Sequence, residues 1–417
     1  MKSFPTASSQ AMSRPLRVAV VTETYPPEIN GVALTIGRMV QGLQGRHHSV
    51  QLIRPRQGSW DSPAGEGNLE VVLRRGLPIP RYQGLRMGLP AGPALRRLWG
   101  ATRPDVVHIV TEGPLGWSAL RAAQALQIPV TADFHTNFHR YSRYYGLGWL
   151  ARPIAAYLRH FHNRAHYTLV PGEGLRRELK AQGYRNLTVV GRGVDIRLFS
   201  PERRNGDLRR SWGAAERDPV VVYVGRLAPE KNLRLVADAF RAIRNCEPRA
   251  RLVWVGDGPE RRALQARYPD HVFAGMRTGR DLAAHYASAD IFLFPSLTET
   301  FGNVTLEAMA SGLAVVAFDY AAAADNLRHG ESGLLAAFGD GRRFCELAAG
   351  LAANPGEIAR LGQNARKAAE QQDWDNITDQ FEKVLAQAAL EGDRHGCQDR
   401  PLSEPDQPVG PGALPPL

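Results

Sequence analysis

The chain has 417 residues, too many for one ordinary core and enough for two domains of about 150–200 residues each. Hydrophobic content of 43% and charged content of 22% are those of a globular protein in water and exclude a fibrous or wholly disordered chain. Three cysteines without paired spacing, Cys246, Cys345 and Cys397, exclude a disulfide framework or a cysteine zinc site and fit a reducing cytosol. The formal net charge of +11 favours anionic partners, whether phosphates, nucleic acid or an acidic membrane face, and selects none of them.

Residues 1–14 are polar with prolines and are expected to be disordered. The apolar run Leu16–Val21 is broken by Arg17 and is too short for a signal-peptide core. No window approaches the roughly 18 uninterrupted apolar residues of a membrane span. LRVAVVTETYPPEINGVALTIGRMVQGL (16–43) reads as a buried strand, a Pro/Gly loop and an amphipathic helix. PDVVHIVTEG (104–113), IPVTADFHT (128–136) and YTLVPGEGLRRELKAQG (167–183) continue the alternation. Strands that alternate with helices predict a parallel sheet covered on both faces.

The pattern then restarts. PVVVYVGRLAPEKNLRLVADAFRAI (219–243), RLVWVGDGPERRALQARY (251–268), ADIFLFPSLTETFG (289–302) and LAVVAFD (313–319) repeat strand, polar loop and helix. The fold class expected is α/β, with two Rossmann-like, doubly wound parallel-sheet domains facing a central cleft. The N-terminal domain is placed at 15–198 and the C-terminal domain at 199–372. RGVDIRLFSPERRNGDLRRSWGAAERD (192–218) has the Pro, Gly and charge of a linker. An amphipathic helix over 373–390 is expected to cross back, and 391–417, rich in Pro and Gly, to be a disordered tail.

Ligands of such sheets sit at the carboxyl ends of the strands. PSLTETFGNVTLEAMASG (295–312) follows one of these strands. Asn303 reads as an N-cap, and Thr300, Phe301 and Gly302 form the turn at a helix's positive end, where free N–H groups bind an anion such as a diphosphate. Glu299 and Glu307 flank this turn and suit sugar hydroxyls on either side of a diphosphate. The spacing alone is equally that of an exposed and a capping glutamate on an ordinary helix. VGRLAPEKN (224–232) adds Arg226 and Lys231 in one strand-end loop, two cations that neutralise a diphosphate and stabilise its departure. PPEINGVA (26–33) places Gly31 ahead of a helix, where backbone approaches a phosphate or sugar closely. DFHTNFHRY (133–141) puts Asp133, His135 and Thr136 at another strand end; His135 is either a sugar or oxyanion contact or a plain loop histidine.

These segments resemble glycosyltransferase family 4, the retaining GT-B enzymes. The resemblance rests on VGRLAPEKN, VGDGPE (255–260), ADIFLFPSLTETFGNVTLEAMASGLAVVA (289–317), GRGVD (191–195) and TETYPPEINGV (22–32), and it covers about 16–390. The N-terminal signature is similar to bacterial α-mannosyltransferases that use GDP-mannose, and to sulfolipid and glucuronosyl-lipid synthases. RGLPIPRYQGLRMGLP (75–90) resembles their acceptor-side loop. The resemblance implies that Arg226 and Lys231 hold the donor diphosphate, Glu299 reaches the donor sugar and Glu307 binds the ribose. It implies that Phe301, Gly302 and Asn303 hold sugar and phosphate through the backbone. His135 then lies beside the transferred sugar, and the Gly31 loop approaches the phosphate. It also implies retention by front-face displacement, with no protein nucleophile, no metal and no further cofactor.

Asp373-Trp374-Asp375 superficially offers a metal motif and is read as a helix start with acidic first-turn residues. His160, His162 and His166 read as surface residues, because only His162 and His166 share a helix face and no carboxylate accompanies them in sequence. Arg140, Arg143, Arg152, Arg159 and Arg164 alternate with Tyr141, Tyr144, Tyr145, Trp149, Leu150 and Tyr157. Together with the basic, apolar stretch 74–99 they form either an anionic-membrane patch or a pair of partly buried, Arg-solubilised segments. The function expected is transfer of a hexose, mannose from GDP-mannose, onto a hydroxyl of a lipid or glycolipid, in the cytoplasm or at the inner face of its membrane. The alternatives are a UDP-sugar-dependent enzyme making a glycosyl-diacylglycerol, and a sugar-nucleotide epimerase of the same two-domain form. No G-x-G-x-x-G follows the first strand, which argues against a dinucleotide oxidoreductase. No recognised module supports a nucleic-acid partner.

Overall fold

The computed structural model describes residues 14–28, 30–58, 61–63, 65–78, 86–135, 151–298 and 302–398, without side chains at 151 and 393–398. In the first domain β1 (Arg17–Val21) leads to α1 (Gly31–Gly45), β2 (Ser49–Pro55) and β3 (Leu69–Arg74). A short antiparallel hairpin follows, β4 (Gly76–Pro78) and β5 (Arg86–Gly88). Next come α2 (Gly92–Ala101), β6 (Val106–Ile109), α3 (Pro114–Ala125), β7 (Val130–Asp133) and α4 (Ala151–His162). β8 (Tyr167–Val170), α5 (Glu173–Ala181) and β9 (Leu187–Val189) complete it. Except for the hairpin, the strands form one parallel sheet in the order β3-β2-β1-β6-β7-β8-β9.

The second domain begins with α6 (Gly206–Ser211) and β10 (Val220–Val224), then α7 (Leu233–Cys246), β11 (Arg251–Val255) and α8 (Arg261–Arg267). β12 (Val272–Gly275), α9 (Gly279–Ala287), β13 (Ile291–Phe294), α10 (Asn303–Ala310) and β14 (Ala314–Phe318) follow. α11 (Ala321–Asn326), β15 (Leu334–Ala336), α12 (Gly341–Ala352) and α13 (Pro355–Glu370) end the domain, and α14 (Trp374–Gln398) follows it. Its parallel sheet runs β12-β11-β10-β13-β14-β15. The central strands are apolar throughout, as VVVYV in β10, because helices bury both faces of a parallel sheet. Strand order reverses between β1 and β6 and again between β10 and β13. These are the switch points where such sheets open a crevice.

Two segments run between the domains, and they meet. Val194 N donates to Gln372 O at 2.9 Å, and Val194 bridges Asp373. Gly193 lies against the Trp374 ring so closely that a Cβ would stand 2.4 Å from it. The linker read from the sequence over 192–218 ends early. Beyond Ser200 the chain packs on the second domain: Trp212 and Ala214 join its core. Arg209 is buried and donates to the carbonyls of Ala215, Glu216, Asp218 and Ser288 and to Asp290. Of the charges that suggested solvent, Arg192, Arg209 and Asp218 are buried, while Asp207 and Arg210 stay exposed.

The final helix also departs from the reading. It runs from Trp374 to Gln398, past the expected start of the tail at 391. The Tyr167 hydroxyl donates to Glu391 at 2.7 Å, and Gly392 packs on Pro129 where a Cβ would clash at 2.5 Å. Its apolar face, Ile377, Phe381, Leu385 and Ala388, lies beside Ile36, Met39 and Leu43 of α1 and closes the first domain's core. Glu382 fixes the register by accepting from Arg46 at 3.2 Å and meeting His48 Nε2 at 2.9 Å. The helix therefore begins beside the second domain and finishes the first.

Phe381 is fully buried with its ring 4.8 Å from that of His108. Phe381→Ala is expected to cost about 3–5 kcal/mol of stability. Urea denaturation followed by tryptophan fluorescence measures it.

Candidate active site

The site is built on the strand ends of both switch points. In the second domain the loops leaving β10 and β11 lock together. Gly225 N donates to Val255 O at 3.0 Å, Leu227 N to Asp257 O at 2.9 Å, and Glu260 N to Leu227 O at 3.0 Å. Gly256 takes φ 136°, and a Cβ there would lie 2.0 Å from Gly225 O, so only glycine permits the approach. This fixes Arg226 at the rim, exposed and without a side-chain ion pair among the described residues. A single 3₁₀ turn, Pro229–Lys231, then directs Lys231 across the switch point. Lys231 Nζ donates to Thr298 O at 3.2 Å and lies 3.4 Å from Ser296 Oγ, both in the loop after β13.

That loop ends at α10. Gly302 caps the helix at φ 57°, a conformation that glycine takes without steric cost. Asn303, read from sequence as the cap, is instead the first helical residue. Gly302 has no side chain to satisfy the first-turn amides, so the positive end of the helix keeps its anion-binding capacity. Around it Thr298 Oγ1, Asn303 Oδ1 and Thr305 Oγ1 are buried and find no partner among the described residues. Glu307 lies about one turn into the helix and accepts from the Tyr286 hydroxyl at 3.0 Å. Burial raises the Glu307 carboxyl from 4.5 to about 7, against the pull of the Tyr286 bond. Glu299 and Phe301 lie outside the described residues, as do Thr300 and Thr136.

The first domain faces this helix end with one of its own. Gly31 is the first residue of α1, whose cap Asn30 accepts from Ala33 N. A Cβ on Gly31 would meet Asn303 Nδ2 at 3.8 Å. Two helix N-termini therefore converge on one point of the cleft, with Lys231 and Arg226 on the loop beside it.

His135 follows β7 and is buried. Its Nε2 is 2.9 Å from Asp133 Oδ2, and its Nδ1 accepts from Arg192 at 3.0 Å. Asp133 Oδ2 also lies 3.4 Å from His108 Nε2, and His108 Nδ1 is 3.0 Å from Thr131 Oγ1. Burial pushes the Asp133 carboxyl up, but His108 and His135 together hold it well below the usual range. Burial pushes the His135 imidazole down, opposed by Asp133 and reinforced by Arg192. The arrangement is a carboxylate, a neutral imidazole and a guanidinium in series.

A second acidic cluster went unread in the sequence. Burial raises Glu23, just after β1, from 4.5 to about 7, while backbone bonds from Leu115 and Gly88 work against the rise and nearby Glu112 adds to it. Gly113 makes room for Glu23, since a Cβ there would stand 2.3 Å from the carboxylate. The surface reading of the HFHNRAH histidines fails for His162. That residue is fully buried, and its Nε2 is 3.1 Å from Glu112 Oε1, the carboxylate missing from its neighbourhood in sequence. Of the basic-aromatic segment, 136–150 lies outside the described residues. On α4, Arg152 and Arg159 are exposed while Leu158 and Phe161 are buried. The residues missed by sequence reasoning, Arg192, Glu23 and Tyr286, differ in their signal. Arg192 and Glu23 sit inside GRGVD and TETYPPEINGV; Tyr286 had none.

The raised Glu307 carboxyl has a stability consequence. Between pH 4.5 and about 7 the folded protein keeps a proton that the unfolded chain has released, so stability falls as pH rises through this window. Glu307→Gln removes that cost and keeps an acceptor for Tyr286. The variant is expected to match the parent near pH 4.5 and to exceed it by about 1–3 kcal/mol at pH 8. Denaturant titrations of both proteins at the two pH values check this; Glu23 cancels in the difference.

Comparison with known proteins agrees with this geometry. Residues 29–198 match the family model described as Glycosyltransferase Family 4, and 218–354 the one described as Glycosyl transferases group 1. A GDP-mannose-dependent alpha-mannosyltransferase of Mycolicibacterium smegmatis is 36% identical over 90% of this chain and 99% of its own. The sulfoquinovosyl transferase SQD2 of Arabidopsis thaliana is 29% identical over 93% and 76%. An alpha-monoglucosyldiacylglycerol synthase of Streptococcus pneumoniae is 27% identical over 72% and 71%. Among solved structures, sucrose-phosphate synthase from Thermosynechococcus elongatus superposes with a TM-score of 0.72 at 18% identity, over 90% of this chain and all (100%) of the other. Anabaena HepE in complex with UDP and glucose gives 0.67 at 20% identity, over 89% and 99%. The facing parallel-sheet domains are thus the GT-B fold, and the chain belongs to glycosyltransferase family 4.

Proposed function

We propose that the protein transfers mannose from GDP-mannose, with retention of configuration, to a hydroxyl of a lipid or glycolipid. The observation that carries this reading is the glycine-capped end of α10 beside the loop of Lys231 and Arg226, facing the Gly31 end of α1 across the cleft. A diphosphate held there is neutralised by two cations and two helix ends. As the sugar–phosphate bond breaks, negative charge collects on the leaving oxygen, where these groups stabilise it most. The departing oxygen takes the proton of the acceptor hydroxyl on the same face, so no protein nucleophile is needed. Glu307 holds the ribose hydroxyls, Glu299 reaches the transferred sugar, and positioning accounts for much of the remaining acceleration. The chemistry calls on no metal and no cofactor beyond the donor itself.

The name of the diacylglycerol synthase relative supports a glycolipid acceptor, that of the mannosyltransferase a GDP-mannose donor, and a UDP-sugar donor is the second reading. Among the described residues no helix is long and apolar enough to cross a membrane. A glycolipid acceptor would be met at a membrane surface. Leu77 and Met87 face each other on the β4–β5 hairpin and are 52% and 38% exposed, with Arg75, Arg96 and Arg97 exposed nearby in sequence. Apolar tips among arginines suit an anionic bilayer. On this reading the enzyme works at the inner face of the cytoplasmic membrane.

Incubation with GDP- and UDP-sugars over a lipid extract, read by mass spectrometry, is expected to yield a mannosylated lipid with GDP-mannose alone. Conversion of the donor without acceptor, seen by NMR, contradicts transfer and indicates an epimerase. Lys231→Ala is expected to lower turnover by roughly 10²-fold or more. Gly31→Ala adds a methyl in ordinary contact, so it keeps the fold and lowers turnover roughly 10-fold by crowding the donor. Steady-state kinetics with thermal melts separates the two effects. In flotation assays the protein is expected to follow anionic vesicles and not neutral ones; equal flotation with both removes the membrane assignment.

A further inference from the structure

Arg192 is 5% exposed, and its guanidinium donates to His135 Nδ1 at 3.0 Å. Burying a cation against a neutral acceptor costs several kcal/mol, which an apolar side chain of similar volume would avoid. The nearest carboxylate in the series, Asp133, lies on the far side of the imidazole, 2.9 Å from Nε2. A guanidinium has donors only, so Nδ1 must accept, and neutral His135 carries its hydrogen on Nε2, the nitrogen 2.9 Å from Asp133 Oδ2. The bond from Arg192 thereby sets the tautomer of the ring. Protonating it would break the bond to Arg192.

The location of Arg192 adds to this. Its neighbours Gly193 and Val194 are the residues that meet Trp374, Gln372 and Asp373 where the chain passes between the domains. The group that holds His135 is planted on the interdomain crossing. We propose that Arg192 is a positioning residue for sugar transfer, holding His135 neutral and oriented as the two domains meet. The inference rests on the reading of His135 as the residue beside the transferred sugar. There a neutral ring is required, because positive charge develops on the sugar as the donor bond breaks and an imidazolium would repel it.

The test is a double-mutant cycle with Arg192→Met and His135→Ala. Arg192→Met is expected to lower kcat by about 10–100-fold with a smaller change in donor KM, the scale seen when a residue that orients a reacting group is lost. In the His135→Ala background the same change is expected to cost nothing further. Arg192→Gln, which keeps an N–H donor, is expected to recover part of the loss. The acid limb of kcat is expected to move to higher pH in Arg192→Met. Among the described residues the groups then left around the ring are Asp133 on its own strand end, and His108 and Glu112 from β6 and its loop; both carboxylates favour the imidazolium. An equal loss of kcat in both backgrounds would overturn the proposal, as would an unmoved acid limb. Nitrogen NMR of the His135 ring, recorded without substrate, reads Arg192's hold directly: hydrogen on Nε2 in the parent, and a changed tautomer or protonation in Arg192→Met. An unchanged ring spectrum also overturns the proposal. Because that arm needs no turnover, failure of the transferase reading is distinguishable from failure of this one.

Discussion

A diphosphate carries concentrated negative charge, and drawing it from water into a cleft requires an equally concentrated positive field. That requirement orders the molecule. On the proposed reading α10 supplies the field because its cap is a glycine in a left-handed turn, with no side chain of its own to lay over the first amides. Lys231 reaches the same place only because a 3₁₀ turn and Asn232 at φ 55° carry it across from β10 to β13. Arg226 stays at the rim because Gly256 lets the β11 loop lie directly on the β10 loop. The parallel sheets place these loops at one crevice, and the crossing segments with α14 hold the second such crevice opposite.

The same field sits beside groups that cost stability. Glu307 and Glu23 are carboxyls whose burial keeps them near neutrality in pKa, and Arg192 is a buried cation. Each is unfavourable as a structural element and reasonable as a functional one. Glu307 is sheltered where a ribose would need an acceptor. Glu23 sits between the α3 start and the hairpin. Arg192 and Asp133 balance each other through an imidazole, so the charge is conserved in the interior while the ring between them stays neutral.

Much of this was legible in the sequence where contacts are local. The alternation of apolar strands with helices predicted the two sheets, because strands buried on both faces must be apolar throughout. The helix after β13 was legible because a loop, a turn and a helix start lie within a few residues, although its cap is Gly302 and not Asn303. What was not legible depends on pairing between distant segments. His162 read as a surface residue because its partner Glu112 is on another strand end. Arg209 looked like linker charge because its acceptors, Ser288 O and Asp290, belong to the α9–β13 turn. α14 looked finished at 390 because Pro129 and Tyr167, which extend its contacts, come from the first domain. Arg192 stood inside a recognised segment, yet its role appears only when β7 and the crossing segment are side by side.

The central claim is that the cleft recognises a diphosphate through the α10 end, Lys231 and Arg226. Calorimetric titration of GDP against guanosine, with the parent and Arg226→Ala, tests it most directly. The account predicts that GDP binds at least roughly 10²-fold more tightly than guanosine, that added salt weakens the difference, and that Arg226→Ala removes much of it. Equal affinity for GDP and guanosine, or a difference untouched by Arg226→Ala, would contradict it.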